Sequence, residues 1–132
     1  MEFLVEGSPK KVEFVKAILP SMIRQLGLTN SRKSLVVRIA NECDGMGMTV
    51  PIDGLDSYVV VVRPMKLKEL GLTLAHEMVH VRQMARGILK AVKGTNYWCG
   101  KKYGKRTAYL DQPWEQDAFA RQEIIFRKAI AE

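Results

Sequence analysis

The stretch TLAHEMVHVRQ, residues 73–83, holds the only 2 histidines of the chain, His76 and His80, with Glu77 beside the first. On a helix of about 3.6 residues per turn, residues four apart lie one above the other, and their neighbour is turned by about 100°. His76 and His80 therefore share a face, and Glu77 looks out beside it. The helical pattern runs from residue 66 to residue 86, with Gly87 as its stop. Leu67, Leu70, Leu74, Met78, Val81 and Ala85 form its apolar stripe, and Arg82 and Arg86 point away. The histidines sit at the edge of the stripe, so the rest of the fold must cover the stripe and leave that edge reachable. Gly71 either weakens the first turn or marks a close approach by a neighbour.

Working outward, residues 9–27 read as an amphipathic helix with Ser8 as N-cap, Pro9 at the first helical position, Gly27 as the stop and Pro20 as a source of kinking. Residues 34–41 read as a strand, and GMGMTV (45–50) as a short glycine-punctuated one. PIDGLDS is a turn-rich connection. SYVVVVR (57–63), a continuous β-branched run ended by Pro64, reads as a strand covered on both faces. Residues 91–110, glycine-punctuated and aromatic, read as a small hairpin or irregular loop, and 113–131 as a helix opened by Pro113. The expected architecture is α+β: one domain over residues 1–132, with a small mixed sheet of about three strands packed by helices.

With 47% hydrophobic and 27% charged residues, the chain is too apolar to be disordered. No apolar run reaches the length of a membrane span, and the N-terminus has no signal-peptide pattern. The expectation is a cytoplasmic monomer with no membrane partner. Cys43 and Cys99 form no C-x-x-C pair and read as ordinary thiols. The net charge of +7 favours acidic partners. Its densest cluster, GKKYGKR (100–106), reads first as a solvated hairpin and only second as a nucleic-acid surface.

Two imidazoles one helical turn apart can hold one zinc ion, with Zn–N distances of about 2.0–2.1 Å. Glu77 cannot easily join them as a ligand, but can reach a metal-bound water and act as general base. A third ligand must come from elsewhere. In DQPWEQDAFARQEIIFRKAI the apolar stripe comprises Ala118, Phe119, Gln122, Ile125, Phe126, Ala129 and Ile130. Glu115 falls on that stripe one turn before Phe119, where a carboxylate needs a compensating cation. Asp117, on the side of Arg121 and Lys128, is the backup ligand.

LAHEMVHVRQ, followed 35 residues after His80 by Glu115 in QPWEQDAFA, resembles the gluzincins, the thermolysin-like zinc metallopeptidases, and among them the minigluzincins and short phage-encoded peptidase-like proteins. The motifs lie within residues 57–120; residues 1–56 match only in element order. The resemblance implies His76, His80 and Glu115 as ligands of Zn2+, Glu77 as general base, and an N-terminal helix, small sheet, active-site helix and glutamate helix. Family members usually place an acid four residues after the ligand glutamate to orient a zinc histidine; here that position is Phe119. Asp111 or a backbone carbonyl is the expected substitute.

The function expected is hydrolysis of peptide bonds in a peptide or protein substrate. Tyr109 and Tyr103 are candidate oxyanion donors, and GMGMTV is the strand expected to pair with substrate. The competing reading is a catalytically silent, zinc-stabilised basic module that binds nucleic acid or a protein. SprT-like DNA-associated proteases rank lower, because they use a third histidine.

Overall fold

The computed structural model describes residues 1–52 and 56–132. In chain order the elements are β1 (Glu2–Glu6), α1 (Pro9–Gln25), β2 (Ser34–Ile39), β3 (Gly47–Ile52), β4 (Ser57–Val62), α2 (Leu67–Ala85), β5 (Leu89–Val92), β6 (Thr95–Trp98), β7 (Lys101–Tyr103), a 3-10 turn (Tyr109–Asp111) and α3 (Pro113–Ala131). The α+β expectation holds, and both site helices run within a residue of the bounds read from periodicity. Of the PIDGLDS connection, Pro51 and Ile52 complete β3, and residues 53–55 lie outside the described residues.

The main sheet has 4 strands in the order β1-β2-β4-β3. β1, β2 and β4 are parallel, with α1 as the crossover between β1 and β2, and β3 runs antiparallel to β4. Strand β1 is an addition to the three strands expected. It is only five residues long and is held by pairing with a segment some thirty residues away, which local periodicity does not report.

The register puts Phe3, Leu35 and Tyr58 in one cross-strand row, and Val5, Val37 and Val60 in the next. These rows face the helices and form the core with Val15, Leu19 and Met22 of α1 and Leu70, Leu74, Met78 and Val81 of α2. Each fully buried aliphatic side chain contributes roughly 1.5–3 kcal/mol. The opposite face is less covered than the continuous apolar run of β4 suggested: Val61 is buried, but Val36 and Val59 are only half-buried and Leu4 is exposed.

Helices α1 and α2 both end before the glycine expected to stop them. Each closes with a backbone N–H reaching back over five residues, Leu28 to Ile23 and Ile88 to Gln83. Pro20 lies on the exposed side of α1, where the carbonyl it leaves unpaired can meet water.

The segment read as a hairpin or irregular loop is a three-stranded antiparallel meander. Its two-residue turns, Lys93-Gly94 and Cys99-Gly100, have φ of 50° and 79°, and of 51° and 85°. Positive φ at both central residues matches the right-handed twist of paired strands and favours glycine at the second position. No described helix is long and apolar enough to cross a membrane.

Candidate metal centre

Helices α2 and α3 pack directly, and Gly71 sets how closely. A Cβ at that position would lie 2.2 Å from Cε1 of the buried Phe126, so only glycine leaves room for the ring. The close approach brings the first turn of α3 against the middle of α2. There Glu115 Oε1 lies 2.8 Å from Nε2 of His76 and 3.1 Å from Nε2 of His80. One donor atom from each of His76, His80 and Glu115 falls within 4.8 Å of the other two. Sequence spacing and structure thus select the same three residues. Asp117, the backup ligand, is not among them.

Asp117 has a different task. Its Oδ2 accepts a hydrogen bond of 3.0 Å from Nε2 of Gln83, while Oδ1 accepts from Arg121 at 2.7 Å. Gln83 is fully buried, and its Nε2 also donates to the Trp114 carbonyl at 2.9 Å. Two acceptors on the nitrogen side fix the amide's orientation, so Gln83 presents its Oε1 to Nδ1 of His80, at 2.8 Å. Nδ1 must then carry a proton, and the lone pair of a neutral His80 sits on Nε2, toward Glu115. Gln122 Oε1 meets Nδ1 of His76 in the same way, at 2.7 Å.

Such an arrangement of two imidazole nitrogens aimed at one carboxylate oxygen is repulsive unless a cation or a proton lies among them. The donor set therefore fits a divalent metal of the nitrogen- and oxygen-binding kind. The two glutamines supply the support that the sequence reading assigned to Asp111 or a backbone carbonyl. That expectation is corrected: Asp111 is exposed, and among the described residues only its backbone N–H is engaged, in the 3-10 turn. Gln122 had been read as part of an apolar stripe, where a polar residue among apolar ones was itself the signal. Gln83 stands one turn beyond His80, where a partner for its Nδ1 is within reach.

The α3 stripe is also rotated from the expected one. Trp114, Ala118, Ile125, Phe126 and Ala129 are buried, whereas Phe119 and Ile130 are 48% and 51% exposed. Helix α3 is wedged against both α1 and α2, which moves its buried face toward Trp114. Phe119 instead packs its ring edge-on against His76 at a centroid distance of 4.7 Å and borders the cleft.

The cleft over the three residues has a volume of about 640 Å³. One wall is β3, an edge strand of the sheet, as expected for GMGMTV. Thr49 on that strand donates from Oγ1 to Glu77 Oε1 at 2.8 Å. A Cβ on Gly47 would come within 3.2 Å of Glu77 Cγ and 3.0 Å of Thr73 Cγ2, so a small residue lets β3 close on the carboxylate. Tyr109 lines the cleft and donates from its hydroxyl to Glu115 Oε1 at 3.3 Å. Tyr103 does not line it; its ring packs edge-on against Trp114 at 5.7 Å, below the ammonium of Lys101. Cys43 is buried and Cys99 exposed, and neither belongs to the cluster.

The electrostatics follow from burial and proximity. Burial raises the Glu77 carboxyl above the usual carboxylate range, against the charge of His80 and the Thr49 hydrogen bond. Burial would also raise Glu115, but the hydrogen bonds and charges of His76 and His80 prevail and hold it at about 2. For His80 burial works downward and is outweighed by its bonds to Glu115 and Gln83 and by the charges of Glu115 and Glu77, so its pKa is raised. Tyr109 is pushed up to about 12 by burial and by the Glu115 charge, which keeps its phenol protonated and able to donate at neutral pH.

Two consequences are measurable. Gln83→Leu removes the acceptor for His80 Nδ1 and strands the partners of Nε2. It should weaken metal affinity by about 10–100-fold in a competition titration with a chromogenic chelator. Unchanged affinity would mean that Gln83 does not orient the ligand. The second concerns pH. In the metal-free protein the Glu115–His80 pair is intact above the usual 4.5 of a glutamate and below the usual 6.5 of histidine. Its contribution is lost as the pH rises through the raised pKa of His80, and at the acid end as the pH falls through about 2. Metal-free protein should therefore melt at lower temperature as pH climbs beyond 6.5, while metal affinity increases because His80 sheds its competing proton. A metal-free melting temperature that rises over that interval would contradict the pairing.

Compared with models of protein families, with curated proteins and with solved structures, the chain finds no match.

Proposed function

We propose that the chain is a zinc-dependent metallopeptidase. The observation that carries this reading is the placement of Glu77. It lies next to a His/His/Glu donor set of two buried imidazoles and a half-buried carboxylate, outside that set, and is held at the cleft wall by Thr49. A purely structural zinc site is closed by protein ligands and has no use for a second, separately anchored carboxylate. Two imidazoles and one carboxylate are a known catalytic zinc set, and the bound ion supplies Lewis-acid polarisation of a carbonyl and a lowered pKa for water.

The chain's own residues do the rest. Glu77 takes a proton from the attacking water as its oxygen bonds to the scissile carbon. It returns that proton to the amide nitrogen as the C–N bond breaks. A carboxyl raised by burial is suited to both halves of this exchange. Tyr109, kept protonated, offers a hydroxyl to the developing oxyanion. Tyr103 is better assigned to packing Trp114. The free edge of β3 offers backbone donors and acceptors to an extended peptide laid along the cleft.

The test is a peptide library incubated with a monomeric preparation. Cleavage should vanish on removal of metal by a chelator and return with one equivalent of zinc. Cleavage that survives chelation, or zinc-loaded protein that cuts nothing across the library, would reject the proposal.

A further inference from the structure

The meander carries a feature that hydrolysis does not use. Residues 87–110 contain six basic side chains, Lys90, Lys93, Lys101, Lys102, Lys105 and Arg106, and no acid, so they account for six of the net charge of +7. All six are exposed, and none forms an ion pair among the described residues. The remainder of the chain is nearly neutral. A charge balance that looks diffuse over the whole protein is thus concentrated on the meander and the segment that follows it.

The register sorts these residues by face. Leu89, Asn96 and Trp98 share one face with Lys101 and Tyr103, and Leu89 and Asn96 line the cleft. Lys90, Tyr97 and Lys102 form a single cross-strand row on the other face. Tyr97, half-buried, is therefore flanked on its two neighbouring strands by lysines. Beside it is a shallow groove of about 230 Å³ lined by Gly87, Ile88, Lys90, Val92, Tyr97 and Gly100, in which the two glycines keep the wall low. At the end of the sheet, Lys93 occupies the turn, and the Lys105 ammonium comes within 3.4 Å of where a Cβ of Gly94 would be.

We propose that this outer face of the meander binds single-stranded nucleic acid, with a base stacked on Tyr97 and phosphates neutralised by Lys90, Lys102 and the lysines at the end of the sheet. An aromatic ring set between cations on a sheet, with an open groove at its side, is the combination that binds single strands without reading sequence. An acidic protein would be met by the lysines alone and gives no role to the ring. Because the row faces away from the cleft, the ligand leaves the metal centre free. The inference is independent of the peptidase reading, and its test needs neither zinc nor cleavage.

The experiment is fluorescence anisotropy of the full chain with a labelled oligo-thymidylate of about 15 nucleotides, at several salt concentrations. Saturable binding is expected, with Kd on the order of 10⁻⁶ to 10⁻⁴ M near physiological salt. Lys90→Ala with Lys102→Ala should weaken it and flatten the slope of log K against log salt by about 0.7 for each phosphate contact removed. Tyr97→Ala should cost on the order of tenfold or more, whereas Tyr97→Phe, which keeps the stacking face, should bind like the wild type. The phenylalanine variant separates loss of stacking from loss of folding, and circular dichroism of each variant completes that control. The proposal is overturned if the wild type shows no saturable binding at low salt. It is equally overturned if Tyr97→Ala binds as the wild type does, or if poly-glutamate displaces the oligonucleotide at equal charge concentration, which would mark an acidic-protein surface.

Discussion

Glu77→Gln is expected to lower kcat by a factor on the order of 10² to 10⁴ and to leave zinc in place. The factor is that of a general base removed from a reaction whose electrostatic stabilisation survives. Zinc stays because the donor set is His76, His80 and Glu115, and Glu77 is outside it. The substitution also isolates chemistry from folding. A glutamine keeps an oxygen for the Thr49 hydroxyl, and it removes the cost of burying a charge that holds the Glu77 pKa up. The variant should therefore be no less stable than wild type at neutral pH. The measurement pairs steady-state cleavage of the best library peptide with a zinc competition titration. A variant that keeps wild-type turnover would remove Glu77 from the mechanism.

The second large effect is on stability. The cluster in the metal-free protein brings a carboxylate oxygen to within 2.8 and 3.1 Å of two imidazole nitrogens, a grouping that a cation relieves. Metal that binds only the folded state adds RT ln(1 + [L]/Kd), about 4 kcal/mol when free zinc is a thousandfold above Kd. For a chain of this length that raises Tm by on the order of 10–20 °C. His80→Ala should abolish most of the shift, and Phe119→Ala, which touches His76 without being a ligand, should retain it. Differential scanning calorimetry with and without zinc reads both. A wild-type Tm indifferent to zinc, or a shift that survives His80→Ala, would show that this cluster is not where metal acts.

How much of this was legible beforehand depends on how local each cause is. The two site helices were, because their apolar residues recur at the helical period and Gly87 and Pro113 punctuate them. The grouping of His76, His80 and Glu115 was also legible, since it follows from angular position on those helices and from the cost of an apolar-face carboxylate. Strand β1 was not, because the strand it pairs with is a segment far along the chain. The meander was half-legible: Gly94 and Gly100 announced turns, but Lys93 and Cys99 at positive φ are residues that rarely signal that conformation.

The amides around the histidines were hidden for another reason. A glutamine on a helix face is compatible with solvent or with a buried acceptor role, and only the packing of α3 on α2 decides. That packing turned Trp114 inward and Phe119 outward, and it drew Asp117 to Gln83. The result is an Asp117–Gln83–His80 relay that does the orienting work an acid at position 119 would have done. The fold thus holds a proton on Nδ1 of His80 so that Nε2 faces Glu115, by a longer route.

The peptidase reading depends on the metal centre, and X-ray absorption at the zinc edge of protein loaded with one equivalent of zinc tests that centre directly. The expected spectrum has a first shell of nitrogen and oxygen at about 2.0–2.1 Å with the outer scattering of two imidazole rings, falling to one ring in His80→Ala. A sulfur shell near ~2.3 Å, which would point to Cys43 or Cys99, or a spectrum unchanged by His80→Ala and Glu115→Ala, would contradict it.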